Sequence, residues 1–183
     1  RTLKEQNIVF ISIDSGVGAG IVIDGNLYKG HSSKAGEFGH FTVENHGKKC
    51  NCGNEGCLEM YCSNRALVKA FEKEFNLSNL SFIEIFSKNL ADTEKGKEIL
   101  EKYTDYLASG IRNLLFLLDL DRVIIGGLIS NYSHYIKESL EKKVFNNIFF
   151  EDKSILEFSK YGDFSNLIGA AFLPFNDLFI HLF

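Results

Sequence analysis

The sequence contains no tryptophan, a single methionine and a single proline, Pro174, and it has no internal repeat, low-complexity stretch or proline-rich linker. A secretory leader is missing as well: Arg1 to Asn7 is polar and has no apolar stretch behind it. The densest apolar run, Leu114 to Leu120, is interrupted by Asp119 and is far too short to span a bilayer. Basic residues form pairs, Lys48-Lys49 and Lys142-Lys143, and no stripe, within a net charge of −4. That distribution excludes a duplex-binding surface, so DNA would have to be touched by a segment outside this chain. Together these absences point to a cytoplasmic protein with no membrane partner.

What is present suits a single globular unit. A length of 183 residues is enough for one core, and 45% apolar with 24% charged residues is ordinary for a folded domain. Aromatic bulk comes from 17 Phe and 7 Tyr. Ile8 to Asp14 reads as a buried strand ending at a glycine turn, Gly16 to Gly20. Ile21 to Ile23 reads as a second strand, with a hairpin turn at Asp24 to Asn26 and a third strand from Leu27. A looser stretch, 31–54, holds a short strand at Phe41 to Val43, and from Cys57 the pattern turns helical, with Ser63 or Asn64 as an internal cap. A short helix is expected over Ser81 to Leu90, and a longer one from Asp92 or Thr93 with Ile99, Tyr103, Leu107, Ile111, Leu114 and Leu118 on one face. Val123 to Ile125 is a buried strand closed by Gly126-Gly127. A helix over Tyr132 to Phe145, a strand near Ile155 to Phe158 and a last helix from Phe164, bent at Pro174, complete an α/β lobe.

The chemistry concentrates in one segment. All four cysteines fall between residues 50 and 62, and in a reducing compartment such a cluster signals metal rather than disulfides. Cys50-Asn51-Cys52-Gly53-Asn54-Glu55-Gly56-Cys57 brings three thiolates together around two glycines that let the chain curl back. Zinc takes four tetrahedral ligands of this kind. Spacing leaves the fourth open among His40, His46 and Cys62, and by local distance slightly favours His46 or Cys62.

Ala35-Gly36-Glu37-Phe38-Gly39-His40, followed by Cys-x-Cys-Gly-x-x-Gly-Cys-Leu-Glu through Glu59, resembles the signature of the ROK family of repressors, open reading frames and kinases. The resemblance runs from Ile8 to about Phe172 and implies a ribonuclease-H-like, actin-type fold of two lobes that bind a sugar. It implies that zinc is held by His40, Cys50, Cys52 and Cys57, leaving Cys62 as a buried thiol. It also implies that Glu37, His40 and Glu59 contact the sugar, a hexose or N-acetylhexosamine, free or phosphorylated. A carboxylate suits that task because it accepts from two neighbouring hydroxyls at once.

Two glycine segments, Gly16 with Gly18 and Gly126 with Gly127, match the nucleotide loops of the family's kinases. No Gly-Lys-Ser/Thr follows, so neither is a P-loop. Asp14 puts a carboxylate near where phosphate would lie, and Leu128 stands where the family often has a third glycine. Both departures argue against ATP. The kinases' Asn-Asp base and first Asp-x-Gly-x-Thr loop are also missing from this sequence. The expectation is therefore a single C-terminal lobe over 1–183, without the N-terminal lobe or any DNA-binding domain. It would be the sugar-effector, zinc-containing lobe of a ROK transcriptional repressor, with the corresponding lobe of a ROK sugar kinase as the alternative. An apolar helix face and the apolar residues Phe175, Leu178, Phe179, Ile180, Leu182 and Phe183 point to a homo-oligomer or a lobe contact.

Overall fold

The structure, a computed structural model, describes residues 6–165 and 167 of the chain. The expected last helix, the bend at Pro174 and the apolar C-terminal residues lie outside them, apart from a short 3-10 turn at Gly162–Phe164.

Three strands form a meander: β1 (Ile8–Ile13), β2 (Val17–Ile23) and β3 (Asn26–Leu27). They pair antiparallel, and β4 (Arg122–Gly126) and β5 (Leu156–Phe158) add parallel strands on the other side of β1, giving the order β3-β2-β1-β4-β5. Along β1 the side chains alternate between a fully buried face (Val9, Ile11, Ile13) and a half-buried one (Ile8, Phe10), as a period-2 element must. The buried face merges with Val123 and Ile125 of β4 into one core.

The helices are α1 (Glu59–Cys62), α2 (Asn64–Phe75), α3 (Phe82–Ser87), α4 (Glu94–Leu118) and α5 (Lys137–Val144). The long α4 buries Leu100, Tyr103, Leu107, Ile111 and Leu114 at helical spacing. Ile99 and Leu118, expected on this face, are only half buried. Thr93 and Ser81 cap α4 and α3 with their hydroxyls, Ser81 within a full capping box with Glu84.

The structure departs from the sequence expectations at three places and bears out the internal cap at Ser63. The expected glycine turn is shorter, because antiparallel pairing runs on to Ile13 opposite Val17 and makes Gly18 and Gly20 strand residues. Phe41 to Val43 forms no strand, only a single bridge between Thr42 and Cys57 next to a 3-10 turn at Phe38–His40. The internal cap expected at Ser63 or Asn64 is Ser63, whose backbone is extended while its hydroxyl accepts from the Ala66 amide at 3.1 Å. The helix expected from Tyr132 is a 3-10 stretch, Leu128–Tyr135, kinked at Tyr132, before α5 begins.

Ser63 is fully buried and sets the direction of α2 as it leaves the cysteine segment. Replacing it with Ala removes the cap, and chemical denaturation should show a loss of roughly 1–2 kcal/mol with an unchanged m-value.

Candidate metal centre and sugar site

The turn carrying Glu37 and His40 lies flat against β2. The Ala19 amide donates to the Gly36 carbonyl at 2.8 Å. A Cβ on Gly36, which has φ +88°, would sit 1.9 Å from the Ala19 carbonyl oxygen, and one on Gly39 would sit 2.1 Å from that of Val17. The Gly-Glu-Phe-Gly-His pattern is thus a close-approach device: the two glycines let the backbone touch the strand. Phe38, only 1% exposed, anchors the turn in the core, while Glu37 is left exposed and His40 half exposed.

Downstream, the Thr42–Cys57 bridge and the Leu58 amide donating to the Phe41 carbonyl at 2.9 Å bring the His40 turn to Cys57. A second bridge, Lys49 with Glu55, closes the loop that carries Cys50 and Cys52, and the Cys50 amide donates to the Asn54 carbonyl at 2.8 Å. From behind, Tyr61 stacks on Tyr106 of α4 with ring centroids 4.2 Å apart. The Tyr61 hydroxyl accepts from the Lys48 amide at 2.8 Å, and the Tyr106 hydroxyl donates to Glu44 at 3.0 Å. This brace of Tyr61, Tyr106 and Glu44 escaped the sequence reading, because its members are far apart in the chain and match no spacing rule.

The result is one compact donor set. Single ligand atoms of His40, Cys50, Cys52 and Cys57 all lie within 4.8 Å of one another. Cys50 Sγ is 3.6 Å from His40 Nδ1, and Cys52 Sγ is 3.6 Å from Cys57 Sγ. Two ligands of a tetrahedral zinc at typical bond lengths, about 2.3 Å for sulfur and about 2.0–2.1 Å for nitrogen, stand roughly 3.6–3.8 Å apart. The donor atoms and their spacing therefore fit a zinc ion. Burial and the neighbouring Cys52 and Cys50 thiols push Cys57 up to about 12, and burial also raises Cys50. Exposed Cys52 is held down, chiefly by the Asn54 backbone amide. A bound divalent ion would favour the thiolate form of all three cysteines.

Neither alternative fourth ligand joins the group. His46 is exposed, in a left-handed turn at φ +57°. Cys62 is fully buried, its sulfur 3.6 Å from the Tyr103 carbonyl.

The two carboxylates flank the histidine. Glu37 Oε2 lies 3.7 Å from His40 Nε2, and Glu59 Oε1 lies 4.0 Å from His40 Nδ1 and 3.2 Å from Cys50 Sγ. Glu59 is 7% exposed, and its other oxygen is 3.1 Å from where a Cβ on Gly16 would be. The glycine turn thus borders the same site.

The parallel pairing of β1 with β4, with Ser12 opposite Gly126, sets the turn after β1 beside Gly126-Gly127 at one sheet end. There the Leu128 amide points at Asp14 Oδ1, 3.5 Å away. Leu128, which stands where the family often has a third glycine, is half buried and packs against the core.

Among the described residues, no helix is long and apolar enough to cross a membrane. Over 147 residues the chain is 34% identical to the xylose repressor of Bacillus subtilis, covering 80% of this chain and 38% of that protein. Over 138 residues it is 38% identical to an N-acetylmannosamine kinase of Vibrio cholerae, covering 75% of this chain and 47% of that one. The chain thus spans less than half the length of these two relatives. The glucokinase of Streptomyces griseus, solved with glucose and AMPPNP, superposes with a TM-score of 0.80 at 24% identity, covering 94% of this chain and 62% of that one. That likeness establishes the actin-type α/β fold. The family match covers residues 2–176, and the chain belongs to the ROK family.

Proposed function

We propose that this chain is the sugar-binding, zinc-holding C-terminal lobe of a cytoplasmic ROK transcriptional regulator. In this reading His40, Cys50, Cys52 and Cys57 hold one structural zinc, and Glu37, His40 and Glu59 read the hydroxyls of a hexose or N-acetylhexosamine. The relatives that support a sugar are a xylose repressor and an N-acetylmannosamine kinase. DNA is contacted by a domain outside these residues. Self-association fits the exposed aromatic cluster at the end of α4, where Phe116 and Phe149 meet edge-to-face at 5.7 Å.

The observation that carries the regulator reading over the kinase is Asp14. Its carboxylate already occupies the space before the Leu128 amide, between the two glycine turns. A nucleotide phosphate at that place would compete for the same donor and meet a like charge. Gly16, Gly18, Gly126 and Gly127 are, in this reading, what remains of a nucleotide site that the lobe does not use. The kinase alternative draws on the 38% identity to the Vibrio enzyme.

The deciding experiment uses the full-length protein that carries this lobe. A panel of hexoses and N-acetylhexosamines should yield one that binds in calorimetry, while incubation of that sugar with ATP yields no sugar phosphate. Glu37→Gln and Glu59→Gln each remove a charge-assisted hydrogen bond worth roughly 1.5–3 kcal/mol, so affinity should fall about ten- to a hundredfold. Wild-type affinity in both variants would place the sugar elsewhere, and sugar phosphate above the blank would support the kinase reading.

A second prediction concerns the metal. Mass spectrometry under native conditions should find one zinc per chain, lost in Cys57→Ala and weakened in His40→Ala. Structural zinc contributes folding energy on the order of 10 kcal/mol in small zinc peptides, so chelation should expose residues 36–62 to hydrogen exchange first. Full zinc occupancy in both variants would contradict the ligand set.

A further inference from the structure

A second concavity lies behind the cysteine loop, between α2 and α4. It measures about 660 Å³, within the range of small-molecule sites, which run from roughly 300 to 1,000 Å³. Its walls are basic although the whole chain carries −4. Arg65, Lys69 and Lys73 follow one another at four-residue steps along α2, Lys102 faces them from α4, and Lys48 closes the end nearest the metal centre. Among the described residues none of these five cations has an ion-pair partner. Of the two acids in the lining, Glu74 is bound to Lys95 at 2.7 Å while its charge also reaches Lys102 and Lys73, and Glu59 lies at the metal-centre end, 3.2 Å from Cys50 Sγ. Five cations against two acids on one concave wall leave a net positive charge that draws an anion, although Lys48 Nζ also donates to the Met60 carbonyl at 3.0 Å.

The remaining lining adds two features that a merely solvated face would lack. The stacked Tyr61 and Tyr106 rings form an aromatic platform, with Lys48 Nζ 4.6 Å from the Tyr61 centroid. Tyr103, 3% exposed, also lines the cavity, and its buried hydroxyl has no hydrogen-bond partner. Such a group costs stability unless something supplies an acceptor.

We propose that this cavity is an effector site for an organic phosphate, the phosphate held by the α2 cations and the body of the ligand resting on the Tyr61–Tyr106 stack. It adjoins the proposed sugar site at Glu59, which lines both, and does not depend on that assignment. Glucose 6-phosphate and AMP share the phosphate monoester and differ in the body, so together they identify the source of the ligand. Calorimetry on the chain at low salt, with glucose and inorganic phosphate as controls, tests this. One of the two monoesters should bind one-to-one, be displaced by inorganic phosphate and not by glucose, and weaken as salt rises. The charge reversal Lys69→Glu with Lys73→Glu, on an exposed helix face, should lower its affinity by at least about tenfold. Tyr103→Phe should lower it about fivefold, and Glu37→Gln should leave it unchanged. Absence of saturable binding by either monoester overturns the proposal. So does binding that survives the lysine reversals, and so does binding lost in Glu37→Gln, which would put the phosphate in the sugar site.

Discussion

Four donor atoms drawn from two separate turns have to meet within 4.8 Å, and the surrounding loops are shaped by that requirement. The His40 turn reaches the meeting point because Gly36 and Gly39 allow it to lie on β2 at backbone contact. The cysteine loop reaches it because two short bridges fold it back, and because a tyrosine stack on α4 holds it from behind. None of these contacts is strong alone, and the loops contain little regular structure to hold them. In the proposed function a metal ion at the centre would supply what the short elements cannot, by tying three loop positions and one turn to a single point.

In the proposed function the same geometry couples the metal to sugar recognition. Glu37 precedes a ligand by three residues and Glu59 follows one by two, so both carboxylates are positioned by the donor set. Glu59 is held in a buried niche against Cys50 and the Gly16 turn, whereas Glu37 stands exposed at the open side. In the proposed function this asymmetry separates a fixed acceptor at the floor of the sugar site from an accessible one at its rim. His40 Nε2 faces Glu37 while Nδ1 faces Cys50, and in the proposed function that carboxylate would fix the orientation of a ligating ring.

Much of this was legible in the chain. Apolar runs and the hairpin turn located all five strands, with one at Phe41 to Val43 expected in excess, and helical spacing located the core of α4, because burial on one face imposes a period that local sequence records. The Cys-x-Cys-Gly pattern located the thiols for the same reason: close donors must be close in the chain when little else holds them. The fourth ligand was not legible from spacing, since His46 and Cys62 are nearer in sequence. It is the Thr42–Cys57 bridge, a contact between loops, that brings His40 in and leaves His46 out. Tyr61, Tyr106 and Glu44 were invisible for a similar reason. Leu128 packs against the core while remaining half buried, a placement that sequence does not specify. The cationic row on α2 reads as an ordinary solvated face until α4 closes the other wall.

The central claim is that one zinc ion, bound by three sulfurs and one nitrogen, organises this site. X-ray absorption at the zinc edge measures that first shell directly on the purified protein. The account predicts three sulfur neighbours at about 2.3 Å and one nitrogen at about 2.0–2.1 Å with the multiple-scattering signature of an imidazole, absent in His40→Ala. A shell of four sulfurs, which would bring in Cys62, or one dominated by oxygen, would contradict it.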